Sequence, residues 1–153
     1  MKKLLLIPVA LLLVAASLRS YQNEADRDAV RAAVLDYVEG IYEVNPDRIE
    51  RSVHPELAKR GFYPNREGNY QEAPMNYEQL HALAGRWNKD GKVDPETAPK
   101  EVIIYEVLNK TASVKLVADW GIDYMHLAKY EGKWMIVNVL WQTHPPEEDS
   151  SGG

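Results

Sequence analysis

Residues 102–143 read VIIYEVLNKTASVKLVADWGIDYMHLAKYEGKWMIVNVLWQT, and the fold turns on how this stretch is divided. β-Branched and aromatic residues dominate four runs, Val102 to Leu108, Thr111 to Ala118, Ile122 to Tyr130 and Lys133 to Thr143, which is the composition of strands. The separators Asn109-Lys110, Asp119-Trp120-Gly121 and Glu131-Gly132 are short and rich in turn formers, so successive strands are expected to be antiparallel. Asn109-Lys110-Thr111 also matches a glycosylation acceptor pattern, but between two strands it reads as a plain turn.

Side chains alternate across a strand. In the last run this places Trp134, Ile136, Asn138 and Leu140 on one face, and Met135, Val137, Val139 and Trp141 on the other. In the run before it, Asp123, Met125, Leu127 and Lys129 oppose Ile122, Tyr124, His126, Ala128 and Tyr130. Asp123 and His126 therefore point to opposite sides unless a bulge intervenes.

Upstream the period changes. Between Glu24 and Tyr42, the apolar residues Val30, Val34, Tyr37, Val38 and Ile41 recur on one helical face. Acidic Glu24, Asp26 and Asp28 crowd the first turns, where free amides and the helix dipole favour negative charge. Asn45-Pro46 restarts the chain as N-cap and first helical residue of a short second helix. That helix is expected to run to about Val53 and to end at His54-Pro55. Residues 59–74, rich in Gly, Pro, Asn and aromatics, read as a loop or short irregular hairpin. Asn76 and Gln79 have capping-box spacing for a third helix carrying Tyr77, Leu80, Leu83 or Ala84, and Trp87 at helical intervals, with Asn88-Lys89-Asp90-Gly91 as its stop. Helices followed by an antiparallel sheet make an α+β domain with helices on one sheet face.

Met1-Lys2-Lys3 and the apolar run Leu4 to Ala16 read as a secretory signal, too short to span a bilayer and ending in small residues fit for cleavage. The chain thus divides into a signal segment at 1–20, a domain at 21–144 and a disordered tail at 145–153. Export implies a periplasmic or secreted home, with membrane association only if the segment stays uncleaved. Cleavage after Ala16 removes Lys2 and Lys3, leaving 137 residues of net charge −7.

The 153 residues, 45% apolar and 27% charged, suit one folded domain. A net charge of −5 gives no basic surface for nucleic acid, and none is expected as a partner. The absence of cysteine excludes disulfides, thiolate nucleophiles and Cys-based metal or cluster sites. No two histidines have the spacing of a helical zinc site, and there is no phosphate-binding glycine loop or serine elbow. No metal and no cofactor are expected.

Helices, an aromatic loop and long strands ending in Gly132-Lys133-Trp134-Met135-Ile136-Val137-Asn138 resemble the nuclear transport factor 2-like superfamily. The stretch Tyr124 to Trp141, together with His54-Pro55, resembles its putative lumazine-binding branch. The resemblance covers about residues 24–144. It implies a cone: three N-terminal helices packed on a curved antiparallel sheet around a pocket open at one end, often in a homodimer formed through the outer sheet face. It also implies that the Trp134 and Ile136 face is the inner one, which offers Asn138 to a ligand. The superfamily holds enzymes, transport factors and inactive accessory proteins, so the fold does not choose among them.

The candidate residues follow from chemistry. His126 titrates near neutrality and suits a general base. Asp123 suits that role if burial raises its pKa. Asn138, Trp134, Tyr124, Tyr63, Phe62, His54 and Trp87 are candidates for lining a ligand pocket. Each also has a structural reading: a satisfied buried amide, a core aromatic, a helix-end histidine. His81 reads as a histidine at the edge of the core. The leading expectation is an exported small-molecule-binding or accessory protein with a pocket for a hydrophobic or aromatic ligand. The alternatives are an isomerase or dehydratase using His126 or Asp123 as base, and a structural dimerisation module.

Overall fold

The computed structural model describes residues 6–146, with side chains from Gln22 onward. The first residues of the expected signal segment, its side chains and most of the expected tail lie outside the described residues. The first helix, α1 (Leu6–Tyr42), runs unbroken through the region that the periodicity marks. Its inward stripe is buried as expected, with Val30, Val34, Tyr37 and Val38 at 0% exposure and Ile41 at 2%. Each such aliphatic side chain contributes about 1.5–3 kcal/mol by leaving water. Among the described residues no helix is long and apolar enough to cross a membrane.

The next helix, α2 (Pro46–Ser52), opens on Pro46 as anticipated. Asn45 precedes it but makes no side-chain cap; its backbone carbonyl accepts from Arg48 N–H instead. The chain then enters β1 (Val53–Pro64) and β2 (Tyr70–Met75). The stretch read as a loop or irregular hairpin is thus a regular one, paired from Lys59↔Met75 to Pro64↔Tyr70 and turned by Asn65, whose side chain accepts from Glu67 and Asn69 N–H. Helix α3 (Tyr77–Ala84) has the predicted reciprocal cap between Asn76 and Gln79. It ends before Trp87 at Gly85.

The meander that the sequence predicts follows as β3 (Lys100–Val107), β4 (Thr111–Ala118), β5 (Gly121–Tyr130) and β6 (Lys133–Gln142), all antiparallel neighbours. The complete sheet has the order β2-β1-β6-β5-β4-β3, and β1 joins β6 in parallel. The architecture is the expected α+β one, three helices on a curved sheet, with that parallel junction added. Tyr42 ties the layers at the end of α1. Its hydroxyl donates to Pro99 O at 2.6 Å and accepts from Asp119 N–H at 2.7 Å, and burial foremost pushes its pKa up to about 12.

One irregularity changes the face assignment. Pairing passes from His126↔Asn138 to Leu127↔Ile136, which leaves Val137 as an extra residue in β6. Trp134 and Ile136 do face inward, at 3% and 0% exposure. Beyond the bulge the parity inverts: Val139 is buried and Leu140 is exposed. Asn138, expected beside Ile136, therefore lies on the outer face.

Candidate functional site

The inner face carries one buried polar cluster in an otherwise apolar and aromatic setting. Asp123 on β5 is fully buried. Its Oδ1 accepts from Trp120 Nε1 at 3.0 Å, while Oδ2 has no hydrogen-bond partner. Lys59 on β1 is buried as well. Its Nζ donates to the Tyr37 hydroxyl at 2.7 Å and stands 3.9 Å from Asp123 Oδ2, beyond hydrogen-bonding reach. Trp141 on β6 packs its ring 5.3 Å from the Lys59 nitrogen, and its own buried Nε1 is unpartnered.

Local structure fixes each of these positions. Lys59 pairs with Val139 and Gly61 with Trp141 across the parallel junction. A Cβ at Gly61 would overlap the Trp141 ring, so only glycine lets the indole lie against β1. Tyr37 comes from the buried stripe of α1. Trp120 comes from the turn before β5 and meets Tyr37, Tyr42 and Trp87 edge-on or tilted at centroid distances of 6.2, 5.5 and 5.5 Å.

The charges have opposite tendencies. Burial pushes the Lys59 ammonium down from its usual value, and the Asp123 carboxylate opposes this only in part. Burial, reinforced by Asp123, holds the Tyr37 hydroxyl well above the usual tyrosine range, so it stays protonated.

Beside the cluster lies a cavity of about 80 Å³. Lys59, Tyr37, Trp120 and Trp141 form its polar-edged wall, and Ile41, Met75, Leu83 and Trp87 complete it. The wall is aromatic, with an ammonium or amine, a hydroxyl and an indole N–H at hand; Asp123 stands behind Lys59 rather than on the cavity surface. A larger depression of about 590 Å³ crosses β1 and β6, where Arg60, Asn138, Leu140 and Gln79 line it. Its polar centre is already satisfied: Asn138 Nδ2 donates to Ala58 O at 3.0 Å, and its Oδ1 lies 3.3 Å from His126 Nδ1.

Among the candidate residues, Asp123 and Trp87 belong to this inner constellation. His126 and Asn138 meet each other on the outer face, separated from the cavity by the sheet, and Tyr124 is exposed there. Trp134 is buried away from the cavity and donates to Asp26 at 3.1 Å. Phe62 faces the outer side beside Gln142, Tyr63 is exposed, and His54 stacks on Tyr130 at 4.5 Å. His81 sits half-buried at the core edge, 3.1 Å from Glu50. Sequence reasoning missed Lys59, Tyr37 as a polar group, and Trp141 as an inner residue. Only the alternation of Leu57, Lys59 and Gly61 hints at the first, and it carries too few apolar residues to be read as a buried face.

Comparison with known proteins agrees with this fold. The family model described as "Putative lumazine-binding" matches residues 25–142. A nuclear transport factor 2-like protein of unknown function from Silicibacter pomeroyi DSS-3 superposes with a TM-score of 0.60 at 18% identity, covering 82% of this chain and 98% of that one. A second from Shewanella baltica OS155 gives 0.57 at 19%, covering 79% and 95%. A putative scytalone dehydratase from Novosphingobium aromaticivorans DSM 12444 gives 0.55 at 13%, covering 82% and 89%. These solved structures share the fold. No curated protein matches the chain.

Proposed function

Because the chain belongs to the putative lumazine-binding family, and because its buried polar cluster borders an aromatic cavity, we propose that it is a small-molecule-binding domain. One observation carries this. Of the four buried side-chain polar atoms without a partner among the described residues, two stand in this cluster: Trp141 Nε1, a donor, and Asp123 Oδ2, an acceptor. Leaving Trp141 Nε1 unpaired costs about 1–3 kcal/mol, a cost that a ligand oxygen reaching it offsets; Asp123, behind Lys59, is not reached from the cavity. The ligand presents a carbonyl or carboxylate oxygen to Trp141 and Lys59, and lays its apolar part against Trp87 and Trp120.

The test is a tryptophan-fluorescence titration with small carbonyl and carboxylate compounds. A saturable change is expected in the native chain, with a loss of affinity in Trp141→Phe. No saturable response up to millimolar concentration defeats the reading.

The unpartnered Asp123 oxygen also favours a second reading, an isomerase or dehydratase in which Asp123 serves as base through Lys59, which stands between it and the cavity. His126, across the sheet, has no part in it. The same titration followed for chemical conversion of each compound tests that reading. We further propose export as the route and a homodimer through the outer face, where Tyr124 and Leu140 are 47% and 46% exposed.

A further inference from the structure

We propose that Lys59 is an amine nucleophile that forms a Schiff base with a short-chain aldehyde or ketone admitted to the aromatic cavity. The inference rests on the small-molecule reading above and specifies its chemistry.

Three features point to it. First, Lys59 is buried at 6% exposure and still lines a cavity. Burying a lysine serves no packing purpose that an aliphatic residue would not serve better. Second, its pairing is incomplete. A charged pair kept for stability closes to about 2.7–2.9 Å, whereas Lys59 and Asp123 stand 3.9 Å apart and the nitrogen's hydrogen bond goes to a neutral phenol. Burial favours the unprotonated amine, the form that attacks carbonyls. Third, the surroundings suit the product. A protonated imine would place its positive charge facing the Trp141 ring and Asp123, groups that stabilise it.

The step balances within the cluster. The Nζ lone pair forms the C–N bond, and the carbonyl π pair moves to oxygen. That oxygen takes one proton lost by nitrogen, giving the carbinolamine. Loss of the second nitrogen proton and of the hydroxyl, together as water, leaves a neutral C=N, which takes up one proton from solvent to become the iminium. Tyr37, whose hydroxyl is 2.7 Å from Nζ and stays protonated, relays the protons. The cavity volume of about 80 Å³ restricts the substrate to a few heavy atoms.

The experiment treats the full native chain with propanal and cyanoborohydride at neutral pH and follows each lysine by peptide mass mapping. Lys59 is expected to be propylated at least about tenfold faster than the exposed Lys89 and Lys133, because burial shifts it toward the free amine that attacks the carbonyl. Tyr37→Phe slows Lys59 alone, and Lys59→Arg abolishes the fast site while leaving the labelling of the other lysines unchanged. Labelling of Lys59 no faster than that of Lys89 overturns the proposal. A parallel fluorescence titration with propionamide, which forms no imine, separates the two claims. Saturable binding without selective trapping overturns the Schiff base alone, and absence of both overturns the binding reading with it.

Discussion

Replacing Gly61 by alanine tests how the pocket wall is built. The new methyl must occupy space now filled by the Trp141 indole, opposite it on β6. Gly61 is buried and the atoms nearest that position all belong to the Trp141 ring, so the indole has to leave β1. Overpacking of this kind costs about 1–3 kcal/mol. Alanine also restricts the unfolded chain, which returns about 0.4–1 kcal/mol. The net loss is about 1–2 kcal/mol, or a fall of about 2–8 °C in Tm for a domain of this size. Displacing the indole further narrows the cavity and moves its free N–H, so ligand response falls more than stability does. Thermal circular dichroism gives the first quantity and tryptophan fluorescence the second. Gly68→Ala is the control, since no atom lies within 4 Å of a Cβ there and only its φ of +85° opposes the change. If Gly61→Ala melts within a degree or so of the parent and keeps its fluorescence, the close packing of Trp141 on β1 is wrong.

Two further outcomes follow from contacts elsewhere. Burial alone would raise the Asp26 carboxyl, but hydrogen bonds from Lys129 and Trp134 outweigh it and hold its pKa below the usual carboxylate value. The stability it adds is therefore complete above the unfolded-state pKa of about 3.9 and disappears as pH falls through the lower folded value; Asp26→Asn should flatten the Tm-versus-pH curve in that acid range and lower Tm at pH 7. Deleting Val137 removes the extra residue, so Asn138 follows Ile136 directly in the ladder and regular alternation keeps Asn138 and Leu140 outward and Val139 and Trp141 inward. The deletion should therefore still melt cooperatively, whereas deleting Val139, which inverts every later residue, should not; loss of a cooperative melt in the Val137 deletion alone would refute the parity argument.

Where the sequence was legible, one periodicity dominated. The α1 stripe from Val30 to Ile41 and the alternating strand β4, with Ala112, Val114, Leu116 and Ala118 buried, each repeat a single signal over several turns or residues. The Asn76 to Gln79 cap was readable because its chemistry is local. Strand β1 was not, because its inward positions include a lysine and a glycine and its start contains Pro55. The pairings that make it a strand lie on β2 and, some eighty residues away, on β6. The bulge was equally silent: Met135, Ile136, Val137 and Val139 are apolar in both parities, so nothing in the pattern shows where the count slips. The site inherited both blind spots. Asp123 was visible by alternation, while Lys59 and the inward turn of Trp141 depended on β1 and on the bulge.

The position of β6 has a consequence for biosynthesis. Among the described strands it is the last to leave the ribosome, yet it lies between β1 and β5 in the sheet. Until it emerges, the nascent chain holds a β1–β2 hairpin and a β3–β4–β5 meander with no strand to join them. Trp141, near the end of β6, follows every other residue of the cavity wall, so the cavity closes only once β6 is made. A domain joined by its latest strand stays open until that strand has left the ribosome.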